Sequence, residues 1–250
     1  MSPASIPRIL ILGGTTEASR LAAALAARGL PAILSYAGRT AAPRAQPVPV
    51  RMGGFGGTEG LAAYLRAEGI GQVIDATHPF AARISANAVA ACAAAGVPLL
   101  VLERPAWVPG PGDRWTRVAD IASAVAALDL PPCRVFLAIG RQTLAPFAVH
   151  PHHYLLRLVD PPEALPLPDC TVEIARGPFV PATDRALMER HRIDLIVAKN
   201  AGGAGAEAKL IAARALGLPV ILIDRPALPP RDTVTTVEEV LSRLHADLGV

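Results

Sequence analysis

The sequence predicts an α/β protein: two Rossmann-like domains with mostly parallel sheets and a cleft between them. Three observations predict it. First, short and mainly apolar runs (ILIL, VIDA, PLLVL, LIVA, PVILI) alternate with alanine-rich helical stretches. Helices interposed between successive strands make those strands parallel. Second, one pattern of strand, helix, Gly-x-Pro turn and strand occurs three times: RILILGGTTEASRLAAALAARGLPAIL, VIDATHPFAARISANAVAACAAAGVPLLVLERP and DLIVAKNAGGAGAEAKLIAARALGLPVILIDRP. Its period is far longer than that of a solenoid, and each such unit needs neighbours to complete a sheet, which gives two halves. Third, a chain of 250 residues with 52% hydrophobic side chains can bury a large core.

The first copy opens with a strand over residues 8–12, turns at Gly13 and Gly14, continues as a helix, and passes through Gly29-Leu30-Pro31 into a strand ending near Ser35. That is the layout of a first βαβ unit. The second copy has a strand ending at Asp75 and a helix starting at Pro79, a residue suited to the first helical turn, with Thr77 or His78 as its cap. The loop RPAWVPGPGDRW over residues 104–115 is rich in Pro, Gly and Trp, and a domain boundary fits there. The expected domains are therefore residues 1–104 and residues 115–250. Beyond the loop come a helix near residues 120–128, strands RVFLAI and YLLRLV, the proline-heavy DPPEALPLPD, and the third copy. The second and third copies end alike, in Glu103-Arg104-Pro105 and Asp224-Arg225-Pro226.

Composition removes several function classes. The apolar runs are all shorter than the roughly 20 residues needed to span a bilayer. Residues 1–7 carry neither a basic start with a long apolar stretch nor a cleavage pattern, so the expectation is a soluble, cytoplasmic protein with no membrane partner. Cys92, Cys133 and Cys170 form no Cys-x-x-Cys pair and read as reduced thiols. His150, His152 and His153 are interrupted by Pro151, with no Cys or carboxylate at ligand spacing, so no metal is expected. A net charge of +3 with dispersed arginines favours an anionic small molecule over nucleic acid.

Open parallel sheets bind ligands beyond the carboxyl ends of their strands, which singles out five loops. In GGTTEA, Gly13 and Gly14 allow a tight turn and close approach of a pyrophosphate, while Thr15, Thr16 and the amides of the next helix supply donors. In SYAGRT, Ser35 and Arg39 stand where an acid would mark NAD, and an arginine with a serine can hold a 2′-phosphate, so the expected cofactor is NADPH. Gly54 and Phe55 in GGFGG could flank a nucleotide ring. In DATHPF, Thr77 joins the cofactor set, and His78 sits at the expected rim of the first sheet, within reach of a nicotinamide or a substrate. In KNAGG, Lys199 at a strand end, followed by Gly202 and Gly203, is suited to gripping substrate carboxylates. One competing site stays open: residues 203–208 fit G-x-G-x-x-A, with Asp224 at the distance of a ribose-binding acid, which would place NAD in the C-terminal half.

The short-chain dehydrogenase route is disfavoured, because neither Lys199 nor Lys209 has a tyrosine four residues earlier. Taken in order, ILGGTTEA, SYAGR, VRMGGFGG, VIDATHPFA, LVLERPAW, LAIGR and VAKNAGG cover almost the whole chain. On this set the sequence resembles the precorrin-6A reductase family of cobalamin biosynthesis. The resemblance implies two Rossmann-like domains and an NADPH-dependent reduction of one double bond of the precorrin-6A macrocycle to give precorrin-6B. The substrate it implies, a tetrapyrrole bearing many carboxylates, needs cationic and N–H donors, and on the resemblance these are Arg141, Lys199, Asn200 and Arg104, with His78 and Asp75 as the candidate acids for the proton that accompanies the hydride. The sequence departs from a common dinucleotide fingerprint at Thr15, where a glycine might stand. Two rival readings are an NAD(H)-dependent oxidoreductase acting on another anionic substrate and a non-catalytic NADP(H)-sensing module.

Overall fold

A computed structural model describes residues 6–38 and 45–248, with side chains through residue 246. The chain divides into two compact units, one of residues 1–104 with 227–250 and the other of residues 105–226. Each is built on a six-stranded sheet whose neighbouring strands all run parallel.

In the first unit the elements are β1 (Arg8–Leu12), α1 (Thr16–Ala27), β2 (Ala32–Tyr36), β3 (Val50–Met52), α2 (Thr58–Ala67), β4 (Ile70–Asp75), α3 (Ala82–Ala95), β5 (Leu99–Leu102), β12 (Thr233–Val234) and α7 (Val237–Leu248). The sheet order is β12-β5-β4-β1-β2-β3. Connections leave β1 in opposite directions, and right-handed crossovers then place helices on opposite faces. Alternation along β1 serves both: Ile9 and Ile11 pack with Leu21 and Leu25 of α1 and Val240 and Leu244 of α7. Leu10 and Leu12 pack with Leu61 and Leu65 of α2 and Ala88 and Cys92 of α3.

In the second unit the elements are β6 (Trp115–Val118), α4 (Ile121–Ala126), β7 (Arg134–Ala138), β8 (His153–Leu158), β9 (Cys170–Ile174), α5 (Pro181–Arg190), β10 (Leu195–Lys199), α6 (Ala208–Leu216) and β11 (Val220–Ile223). The order β6-β11-β10-β7-β8-β9 matches that of the first unit position for position. Phe136, Leu155, Ile196 and Leu222 pack under Leu187 and Met188 of α5 and Leu210 and Ala213 of α6.

The second and third sequence copies therefore occupy equivalent places, β4–α3–β5 and β10–α6–β11. All three copies stop their helices the same way, with a left-handed glycine (Gly29 φ 66°, Gly96 φ 67°, Gly217 φ 66°) followed two residues on by proline. The matching ends, Glu103-Arg104-Pro105 and Asp224-Arg225-Pro226, are where the chain passes from one unit to the other. After β5 it supplies β6 beside β11, and after β11 it supplies β12 beside β5.

Three expectations need correction. Residues 227–250 belong to the first unit, because β12 adds to β5 and α7 covers the face left open beside α1. Residues 105–114 belong to the second unit, where Trp107 is buried. The helix after β4 starts at Ala82 and not at Pro79; residues 78–81 form a turn in which the Ala81 amide donates to the His78 carbonyl at 2.7 Å.

Candidate active site

The first unit has the reversal of strand order at β1, so the loops after β1 and β4 face each other across the crevice where open α/β sheets bind ligands. Both loops are fixed. Thr15 caps α1 with its Oγ1 accepting from the Ala18 amide at 3.1 Å, and its hydroxyl donates to the Ala76 carbonyl at 2.7 Å. The Ala76 amide returns a bond to the Leu12 carbonyl at 2.9 Å.

Glycine is favoured at two points here. A Cβ on Gly13 would lie 2.5 Å from Leu34 Cδ1, and Gly14 has φ 122°. Among the described residues, the amides of Gly14, Thr15, Thr16 and Glu17 have no acceptor within the chain. A close glycine backbone leading to unpaired amides at a helix start is complementary to a pyrophosphate dianion. Glu17 stands in that first turn, and Arg104 at the end of β5 neutralises it with a 2.7 Å ion pair. The two, with Thr15, Thr77 and Pro79, line a narrow crevice.

Ser35 is buried at the carboxyl end of β2. Arg39 lies outside the described residues. Arg51, on β3 directly across from Ser35, was missed by the sequence reading. Its Nη1 lies 3.4 Å from Ser35 Oγ and donates to the Gly53 carbonyl at 2.6 Å, while Nη2 donates to Gly54 at 2.8 Å. Its guanidinium sits 3.8 Å from the centre of the Phe55 ring. The signal available in the sequence was the basic residue of VRMGGFGG. Phe55 is half-buried and stacked edge-on against Tyr64 at 5.1 Å.

Asp75 is 2% exposed, and its Oδ1 accepts from the Thr77 amide at 3.0 Å and the Thr77 hydroxyl at 2.7 Å. It braces the loop after β4. His78 follows, with Nδ1 accepting from the Phe80 amide at 3.2 Å. That bond selects the tautomer with hydrogen on Nε2.

In the second unit the strand at the reversal is β7. Between β7 and β8 the chain forms 3-10 turns at Arg141–Thr143 and Ala145–Val149 in place of an α-helix. Arg141 is exposed there, and Lys199, at the end of neighbouring β10, reaches Thr143 Oγ1 at 3.3 Å. Asn200 is buried and has a different role: Oδ1 accepts from the Trp107 amide at 2.8 Å and Nδ2 donates to the Trp107 carbonyl at 3.1 Å. The Gly203 carbonyl accepts from Trp107 Nε1 at 3.1 Å. A Cβ on Gly202 would lie 2.1 Å from the Pro105 carbonyl oxygen, so Gly202 (φ 69°) and Gly203 (φ 74°) allow the loop to close over Trp107.

The competing G-x-G-x-x-A loop follows β10, which holds the fourth strand position and not the first, and Asp224 is paired with Arg117 at 2.9 Å. The histidines of HPHH go to separate partners. His150 Nε2 and His152 Nε2 each lie 2.9 Å from a carbonyl, of Val125 and Leu128, and His153 Nδ1 lies 2.7 Å from Asp169. Among the described residues no helix is long and apolar enough to cross a membrane.

Comparison with known proteins gives a consistent result. A family model described as precorrin-6x reductase CbiJ/CobK matches residues 8–245. A precorrin-6A reductase of Rhodobacter capsulatus is 64% identical over 244 residues, covering 97% of each chain. One from Rhodococcus erythropolis is 51% identical over 235 residues, covering 93% of this chain and 94% of the other. The solved structure of a CobK precorrin-6A reductase, 64% identical, superposes with a TM-score of 0.94 over 98% of each chain.

Proposed function

The chain belongs to the precorrin-6x reductase family, and on that premise we propose that it reduces precorrin-6A to precorrin-6B with NADPH held by the first unit. The observation that carries the cofactor assignment is the pair of equivalent strands at the two reversals. β1 runs through Gly13 and Gly14 into a helix whose first amides are unpaired, whereas β7 runs into 3-10 turns. Only the first arrangement offers a helix N-terminus to a pyrophosphate.

In this reading Gly13, Gly14, Thr15 and Thr16 receive the pyrophosphate, and Ser35 and Arg39 belong to the adenosine end with Gly54 and Phe55. Thr77 orients the loop after β4 toward the reacting end. NADPH, when bound, supplies the hydride to a conjugated double bond of the ring. The reduction also needs a proton, and His78 is the side chain that would hold one, at Nε2. Asp75 acts through Thr77 as a positioning group, since its Oδ1 accepts two hydrogen bonds. Arg141 and Lys199 bind substrate carboxylates at the carboxyl edge of the second unit, each charge-assisted contact contributing roughly 1.5–3 kcal/mol. Gly202 and Gly203 shape the floor of that edge, and Asn200 supports it from below through Trp107.

The test is oxidation of NADPH, followed at its absorbance band, on mixing with metal-free precorrin-6A, with NADH in parallel. Turnover with NADPH preferred is expected. Tight NADPH binding without oxidation in the presence of precorrin-6A would overturn the reductase assignment, and turnover with NADH alone would overturn the cofactor assignment.

A further inference from the structure

We infer that Arg51 is the residue that selects a 2′-phosphorylated dinucleotide, an inference that rests on the first unit being the NADPH site. β3 is the edge strand beside β2, and Arg51 is the cross-strand partner of Ser35. Directly paired residues on neighbouring strands project from the same face, so the guanidinium overhangs the carboxyl end of β2. That is where the ribose 2′ position sits in this fold.

The guanidinium is held ready for a ligand. Two carbonyls, Gly53 and Gly54, grip its Nη atoms at 2.6 and 2.8 Å, and Phe55 lies under it at 3.8 Å. The loop that supplies these groups is itself constrained. Gly53, Gly56 and Gly57 have φ 105°, 80° and 97°, and a Cβ on Gly60 would lie 1.8 Å from the Phe55 carbonyl oxygen. A planar, pre-oriented guanidinium loses little entropy when it binds a phosphate.

Among the described residues, Arg51 has no carboxylate partner, and its Nε hydrogen and one Nη2 hydrogen have no acceptor. Arg104 pairs with Glu17 and Arg231 with Glu103 in the same unit. A half-buried cation that is braced by carbonyls and left without an anion is the arrangement an incoming dianion completes. Ser35 Oγ accepts from Arg51 Nη1 at 3.4 Å, which leaves its hydroxyl hydrogen as a second donor at the same point.

The probes are adenosine 2′,5′-bisphosphate and adenosine 5′-monophosphate, titrated calorimetrically against the wild-type chain, Arg51→Gln, Arg51→Lys and Arg39→Ala, each checked for an unchanged melting profile. The two probes differ only in the 2′-phosphate. Arg51→Gln should lose roughly 10- to 100-fold of the preference for the bisphosphate, with affinity for the monophosphate unchanged. Arg51→Lys should recover only part of it, because a point charge replaces the fork. A parallel drop for both probes would mean that Arg51 only braces the loop, and would overturn the inference. So would an unchanged preference in Arg51→Gln beside a lost one in Arg39→Ala. If the wild-type chain shows no preference between the probes, the assignment of NADPH to the first unit fails, and the role of Arg51 with it.

Discussion

Replacing Thr15 by valine keeps the shape of the side chain and removes one oxygen that serves two loops. The Ala18 amide loses its cap acceptor and the Ala76 carbonyl loses a hydroxyl donor, at contacts of 3.1 and 2.7 Å. An N-cap contributes about 1 kcal/mol, within a range of about 0.5–2. A further intramolecular hydrogen bond contributes about 0.5–1.5 kcal/mol. The sum predicts a loss of about 1–3.5 kcal/mol in urea unfolding followed by far-UV circular dichroism. Thr15→Ser should restore most of it, since the hydroxyl is retained. Hydrogen exchange should localise the effect to the first turn of α1 and to the amides of residues 76–78. NADPH affinity should fall with it, because the helix start and the loop after β4 are no longer tied together. A valine variant within about 0.5 kcal/mol of the wild type, or a serine variant as unstable as the valine one, would refute the account of this junction.

Three other outcomes follow from single contacts. Arg104→Ala leaves Glu17 unpaired in the first turn of α1, beside the amides assigned to pyrophosphate; NADPH should bind roughly 5- to 30-fold more weakly, and Glu17→Gln in the same chain should restore it. Asn200→Ala strips partners from the buried Trp107 amide and carbonyl, and should destabilise the second unit by about 2–5 kcal/mol, read from tryptophan fluorescence during urea unfolding because both tryptophans lie in that unit. Burial, reinforced by the charge of Asp75, pushes the Cys92 thiol up to about 12 from an ordinary value of 9.0. The unfolded thiol therefore ionises first, so the stability this group contributes is present below pH 9.0 and is lost as pH rises toward 12. Cys92→Ser should flatten that part of the alkaline stability curve, and Cys92 should be the last of the three thiols to react with a disulfide reagent in the native state.

The strands and the βαβ order were legible because their signals are local. Apolar runs of four to six residues, Gly-x-Pro helix stops and the glycine pair after β1 each act within one turn of chain. The course of residues 227–250 was not legible, since Thr233–Val234 is only two residues long and its place beside β5 depends on a sheet edge more than a hundred residues upstream. The start of α3 was misread for a similar reason. Proline permits a helix at residue 79, but the Asp75–Thr77 and His78–Phe80 bonds favour a turn first. Within the candidate site, the placing of residues on loops after strands was legible, and the separate contacts each makes there were not. Asn200 and Lys199 are adjacent in sequence, yet one is turned inward to Trp107 and the other toward Thr143. Arg51 was not singled out, because its place opposite Ser35 is encoded by no spacing in the sequence.

The same strand order, used twice, is followed at its reversal by two different structures. After β1 the chain presents backbone: Gly14 takes φ 122°, the helix begins at once, and the donors are amides aligned with its dipole. After β7 the corresponding glycine, Gly140, takes φ 82°, but Leu144 and Phe147 are buried in the 3-10 turns that follow, and the Tyr154 hydroxyl donates to the Phe147 carbonyl at 2.8 Å. Those contacts fix the segment against the core. The result is that Arg141 stands exposed where amides would otherwise be. Backbone amides in a rigid cradle suit one small, invariant group such as a pyrophosphate. Long cationic side chains suit carboxylates spread around the rim of a large ring, because each can adjust by several ångströms without disturbing the sheet. On the proposed reading, what separates a dinucleotide unit from a substrate unit is whether the strand at the reversal is followed by a helix.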